Sequence, residues 1–245
     1  MAYAVEFPGG TQKNAHSSTA QGAFLAWLAP HQRCTATALV AAAFSLHHRA
    51  QVNVRYARLL ALHDDEGALL AIIGLKRADE GALMVEQYLG ERVGTVLHDR
   101  GLAHCVPSPQ RIMEVGSLAS MTPGAGRSLM LSLVLVLEAL EIEHLVVTAS
   151  RDVRNGLARL GIAMTPLQDA RREHLSEPTD WGQYYDQAPQ VVAIRPLHEA
   201  HRLRCDPLGR RLLERACRLL PHAQAPMPPL PAALAAPWPS EVGHA

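Results

Sequence analysis

The segment 111–140 constrains the fold of this chain more than any other. It opens on an apolar strand pattern, Arg111–Leu118, passes through Met121-Thr122-Pro123-Gly124-Ala125-Gly126-Arg127-Ser128, and continues as an apolar helical run to Leu140. Two glycines let the backbone curl tightly, and Pro123 stiffens the approach to the helix. A helix N-terminus carries unpaired N–H groups and the positive end of a macrodipole. Together these features predict a cradle for a phosphate or pyrophosphate, with Arg127 and Ser128 placed to contact its oxygens.

The flanking pattern extends this unit. His144–Thr148 reads as a second apolar strand and Asp152–Leu160 as a second helix, stopped by Gly161. A β–loop–α–β–α order implies parallel strands joined by a right-handed crossover. Upstream, the apolar spacing predicts a helix over Thr35–Arg49. Val52–Leu62 and Ala68–Lys76 read as a hairpin closed by the turn signal His63-Asp64-Asp65-Glu66-Gly67. Leu83–Leu89 fits either a short strand or the start of a helix running toward Val96. Downstream come an aromatic turn, Trp181–Tyr185, a strand, Val191–Ile194, and one basic amphipathic helix, Leu203–Leu220, bearing Arg204, Arg210, Arg211, Arg215 and Arg218. The expected organisation is a flexible segment 1–20, a domain 21–200, the basic helix 201–220 and a Pro/Ala-rich disordered tail 221–245.

Composition removes several classes. Lys and Arg together number 23, as do Asp and Glu, so no basic footprint for nucleic acid is present. The cysteines Cys34, Cys105, Cys205 and Cys217 form no Cys-x-x-Cys pair, which excludes a zinc ribbon or thioredoxin-like motif. No His-x-x-x-His with a glutamate occurs, so no metal is expected, and no Gly-x-Ser-x-Gly elbow exists. The first residues carry no signal-peptide pattern, and the most apolar segment is too short to cross a bilayer. Free thiols and a cytoplasmic location are therefore expected.

Four blocks resemble the thermostable hemolysin family: Val85–Leu89, Ile112–Ala119, Val146–Ser150 with Val153-Arg154-Asn155, and Trp181–Tyr185. In turn that family is similar to the GNAT acyltransferases, and especially to the acyl-homoserine-lactone synthases. The resemblance implies an α/β (α+β) fold, a GNAT-like mixed central sheet flanked by helices, carrying the β–loop–α–β–α donor-binding unit. It further implies transfer of an acyl group, a fatty acyl above all, from acyl-CoA or acyl-carrier protein to a small amine or amino acid, with no covalent cofactor. The chain departs from the pattern at Ser117, where the family has Asn, and at Met121, where GNAT loops have Gln or Arg. It departs again at Ala158, near the position of the GNAT tyrosine acid.

The candidate site follows from these positions. Glu114 and Glu86 are the catalytic carboxylates, Glu114 as general base for the amine. Donor contacts fall to Gly124, Ala125, Gly126, Arg127, Ser128, Arg154 and Asn155, and substrate contacts to Tyr88, Arg111, Ser117, Trp181 and Tyr184. Each has a structural alternative. For Glu114 it is an ion pair with Arg111 or Arg55; for Glu86 and Tyr88 a strand edge; for Arg154 and Asn155 a helix cap; for the aromatic turn, packing. The basic C-terminal helix suits a carrier protein's acidic face or an anionic membrane. Two other functions compete with acyl transfer: a membrane-active lysin, and an acyl-carrier-binding fold without chemistry.

Overall fold

The computed structural model describes residues 22–176, 180–220 and 227–229. The expected tails 1–20 and 221–245 lie almost wholly outside the described residues. One mixed sheet organises the chain. Its strands are β1 (Phe24–Trp27), β2 (Arg58–His63), β3 (Leu69–Arg77), β4 (Ile112–Ser120), β5 (His144–Ala149), β6 (Thr165–Asp169) and β7 (Gln190–Ile194). Their spatial order is β1-β2-β3-β4-β5-β7-β6, and only β4 and β5 run parallel.

The helices are α1 (Arg33–His48), α2 (Met84–Leu89), α3 (Val93–Asp99), α4 (Ala125–Ala139), α5 (Arg151–Arg159), α6 (Pro196–Cys205) and α7 (Pro207–Cys217). Because β-strand side chains alternate, the sheet buries two separate apolar layers. Met113, Val115 and Leu118 of β4 pack toward α4 and α5. Ile112 and Ala119 face the other way, toward α1, α2, α3 and the aromatic turn. Helix α4 is apolar all round because it lies between the sheet and the α6–α7 pair, so every residue from Leu129 to Leu137 is buried.

The crossover β4–α4–β5 forms as its pattern dictates. Ser150 caps α5 by accepting from the Val153 N–H at 3.4 Å. Gly161 follows α5 with φ +71°, the left-handed turn that glycine takes without strain.

Two local expectations are corrected and one open alternative is resolved. The strand expected over Val52–Leu62 begins only at Arg58: the Arg33 guanidinium binds the carbonyls of Tyr56 and Ala57, which removes them from strand pairing. The 83–89 ambiguity resolves into two helices, α2 and α3, separated by Gly90 at φ +72°. The single basic helix Leu203–Leu220 is two helices, and α6 crosses the expected boundary at residue 200. Asp206 ends α6 and caps α7, its Oδ2 accepting from the Gly209 N–H at 2.6 Å, with Pro207 in the first turn. Asp-Pro is a helix-start signal that the continuous basic pattern masks.

Candidate functional site

A β-bulge shapes β4. Gly74 of β3 opposes Gly116 and Ile72 opposes Ala119, so Ser117 and Leu118 face Ile73 alone. Ser117 takes φ +51° and is buried there. A bulge bends its strand and sharpens the local twist. Pairing of β4 with β5 runs from Ile112↔His144 to Val115↔Val147 and then stops, although β4 continues to Ser120 and β5 to Ala149. The two parallel strands thus part at their C-terminal ends, beside the glycine loop.

In the loop, Gly124 sits at φ +83° just before α4. The Ala125 N–H donates to the Thr122 carbonyl at 3.2 Å, Gly126 to Ser120 Oγ at 3.1 Å and Ser128 to the Gly124 carbonyl at 3.0 Å. Three of the expected cradle donors are therefore satisfied within the loop itself. Arg127 is exposed, and a cleft of about 260 Å³ lies between α4 and α7, lined by Arg127, Ser128 and Arg215 among others. Side chains, more than backbone N–H groups, present positive charge here.

Glu114 lies on the face of β4 away from α4 and is 1% exposed. Its Oε2 accepts from the Met84 N–H at 2.8 Å and Oε1 from the Val85 N–H at 3.2 Å, both at the start of α2. The Tyr56 hydroxyl hydrogen-bonds to it, and Lys76 is its cross-strand neighbour on β3. Burial drives the Glu114 pKa upward; the Met84 N–H, Lys76 and Tyr56 pull it partly back. The expected alternative, an ion pair with Arg111 or Arg55, is not what holds it. Arg111 instead binds Glu143 at 3.0 Å and Glu141 at 3.6 Å on the surface.

Glu86 and Tyr88 do not share a strand edge, because they lie on α2. Glu86 accepts from the Leu83 N–H at 2.9 Å and the Val93 N–H at 3.1 Å, joining the starts of α2 and α3. Tyr88 is buried with its hydroxyl 2.8 Å from that of Tyr185, whose own pKa burial pushes up to about 12. Arg154 donates to the carbonyls of Ala149 at 2.7 Å and Ala188 at 2.9 Å, while Asn155 is exposed on α5. The cap of α5 is Ser150, neither Arg154 nor Asn155.

Trp181 and Tyr184 are buried, their ring centroids 5.7 Å apart, and the Gln183 N–H donates to the His48 carbonyl at 2.7 Å. Their turn is a plug against the end of α1. Sequence reasoning missed Tyr56 and Lys76; Lys76 had one signal, the pairing of β3 with β4, which a register shift disguises, and Tyr56, outside any strand, had none. It missed, too, an apolar cavity of about 40 Å³ between the sheet and α4, with Val115, Leu118, Met130, Val134 and Val147 in its wall.

This architecture has known counterparts. FeeM, an N-acyl amino acid synthase from uncultured soil microbes, matches with TM-score 0.51 at 17% identity, over 71% of this chain and 91% of its own. The acyl-homoserine-lactone synthase LasI matches with TM-score 0.49 at 13% identity, over 71% of this chain and 89% of its own. No curated protein sequence matches the chain. A mixed sheet whose one parallel pair separates beside a glycine loop and a buried crossover helix is the GNAT-like fold, shared with FeeM. Within that class the chain belongs to the thermostable hemolysin family, whose model matches residues 29–200.

Proposed function

We propose that the protein is an N-acyltransferase that moves an acyl group from a thioester carrier, acyl-CoA or acyl-carrier protein, to a small amine or amino acid. The observation that carries this reading is the gap between β4 and β5 past Val115 and Val147, open beside the glycine loop and continuous in sequence with Glu114. A pantetheine arm is a narrow, extended amide chain, and unpaired strand edges offer it N–H and C=O partners. Arg127, Ser128 and Arg215 supply charge and hydrogen bonds for the donor's phosphate.

The acceptor nitrogen attacks the thioester carbonyl, Glu114 takes its proton directly or through water, and the C–S bond breaks. The released thiolate takes a proton from solvent, since Ala158 stands where a tyrosine acid would be. Free N–H groups of β4 steady the oxyanion. A carboxylate with a raised pKa is suited to a base role near neutral pH. The apolar cavity against α4 favours a fatty acyl group over an acetyl group. At about 40 Å³ it holds only the start of a chain until the flexible Met130 moves aside.

The test is thermal-shift binding of acyl-CoA and acyl-carrier protein, followed by mass spectrometry with a panel of amines. Glu114→Gln should lose turnover and keep donor binding; Arg127→Glu should lose donor binding. Equal turnover in wild type and Glu114→Gln would sink the catalytic assignment and leave a carrier-binding fold without chemistry. The family name points instead to a lysin. Among the described residues no helix is long and apolar enough to cross a membrane. Lysis of red cells by the purified protein with no acyl donor present would reverse the order of the two readings.

A further inference from the structure

At the end of the sheet where β4 and β5 begin, away from the glycine loop, lies a polar cleft of about 450 Å³. Its wall includes His104 and Cys105 from the segment before β4, Glu143 and His144 at the head of β5, and Arg195 and His198 at the junction of β7 and α6. Nothing in the acyl-transfer reading uses these residues.

Three observations define what the cleft accepts. The carboxylate in its wall, Glu143, is turned to Arg111 at 3.0 Å, a guanidinium that also lies 3.6 Å from Glu141. Arg195, by contrast, is exposed and has no ion-pair partner among the described residues, so its charge is uncompensated. His144 is 5% exposed, and its buried Nδ1 has no hydrogen-bond partner among the described residues. A buried polar atom left unpaired is costly and is normally satisfied by protein, water or ligand. Burial lowers the His144 pKa, Glu143 opposes that and Arg195 adds to it, which places the imidazole beside a fixed cation. Among the described residues no group of three or more His, Cys, Asp or Glu is arranged to hold a metal ion, despite the imidazoles and thiol.

We propose that this cleft binds a small oxyanion, a phosphate or carboxylate group, with Arg195 supplying the charge, His144 an imidazole hydrogen bond and His198 a second one at the rim. The guanidinium fork pairs with two oxygens of one such group.

Isothermal titration calorimetry of the full chain separates the two sources of this chemistry, with inorganic phosphate in one arm and citrate in the other. One of the two should bind in the millimolar range or tighter. Arg195→Ala should weaken that binding about tenfold or more, the loss expected for a charge-assisted contact. His198→Gln, a surface imidazole whose Nδ1 also lies 3.4 Å from Glu199, should weaken it by less, with the unfolding midpoint of the variant read alongside to show that it folds as the full chain does. Binding of neither anion, or binding unchanged in Arg195→Ala, overturns the site. Donor and amine assays are not involved, so this result stands apart from the acyl-transfer test.

Discussion

Glu114 carries an electrostatic burden that its neighbours adjust. Its raised pKa means that the folded chain holds the proton more tightly than the unfolded one. The contribution of Glu114 to stability is therefore fully present below the ordinary glutamate pKa and is lost as pH rises through the elevated folded value. Glu114→Gln should flatten that fall in a series of unfolding midpoints measured across neutral pH. Tyr56 opposes the shift by donating to the carboxylate. Tyr56→Phe keeps the volume and loses the donor, so the fall, and the acid limb of any turnover profile, should move to higher pH. Gly74 holds that ring in place: a Cβ there would lie 2.5 Å from Tyr56 Cγ, near the stem of the side chain. Gly74→Ala should move the pH dependence in the same direction and cost about 1–3 kcal/mol of stability by overpacking, read from denaturant unfolding. Glu114 was legible from the family motif. Its partners were not, because a backbone N–H at a helix start and a tyrosine outside any strand leave no pattern in the chain.

Elements with their own punctuation were the readable ones. Strand β4, helix α4, strand β5 and helix α5 are bounded by glycines, a serine cap and long apolar runs, and each stands within a few residues of its predicted place. The glycine loop stands between β4 and α4 as the pattern predicts, but Ser120 and Thr122 turn inward and take up N–H groups of the loop, a pairing that spacing alone does not reveal. Asp206 marks the opposite failure, one cap hidden within a long basic pattern. Asp206→Ala should cost about 1 kcal/mol, the usual worth of an N-cap, and loosen α7 without touching the sheet. Amide exchange would show faster opening of α7 alone. In α4, Met130→Trp should fill the apolar cavity and shift product acyl chains to shorter lengths, read by mass spectrometry; unchanged chain length would place the acyl group elsewhere.

At the scale of the whole molecule, the two apolar layers are unequal in what they ask of the chain. The layer on the α4 side closes only with α6 and α7, and Arg204 of α6 pairs with Glu138 at the end of α4. Glu199, 1% exposed, accepts from the Ala163 N–H at 3.2 Å and holds Arg202 at 2.7 Å, fastening α6 to the turn after α5. The family match ends at residue 200, inside α6, so a chain cut there should expose the outer face of α4 and aggregate. Light scattering of the truncated protein beside the full chain checks this. The strand order adds a matter of timing. Strand β7 sits between β5 and β6, although β6 comes before it in the chain. As the chain leaves the ribosome, β5 has an open edge and β6 has no partner until residue 194 has emerged, so both strands stay exposed to pairing with other chains until late in synthesis.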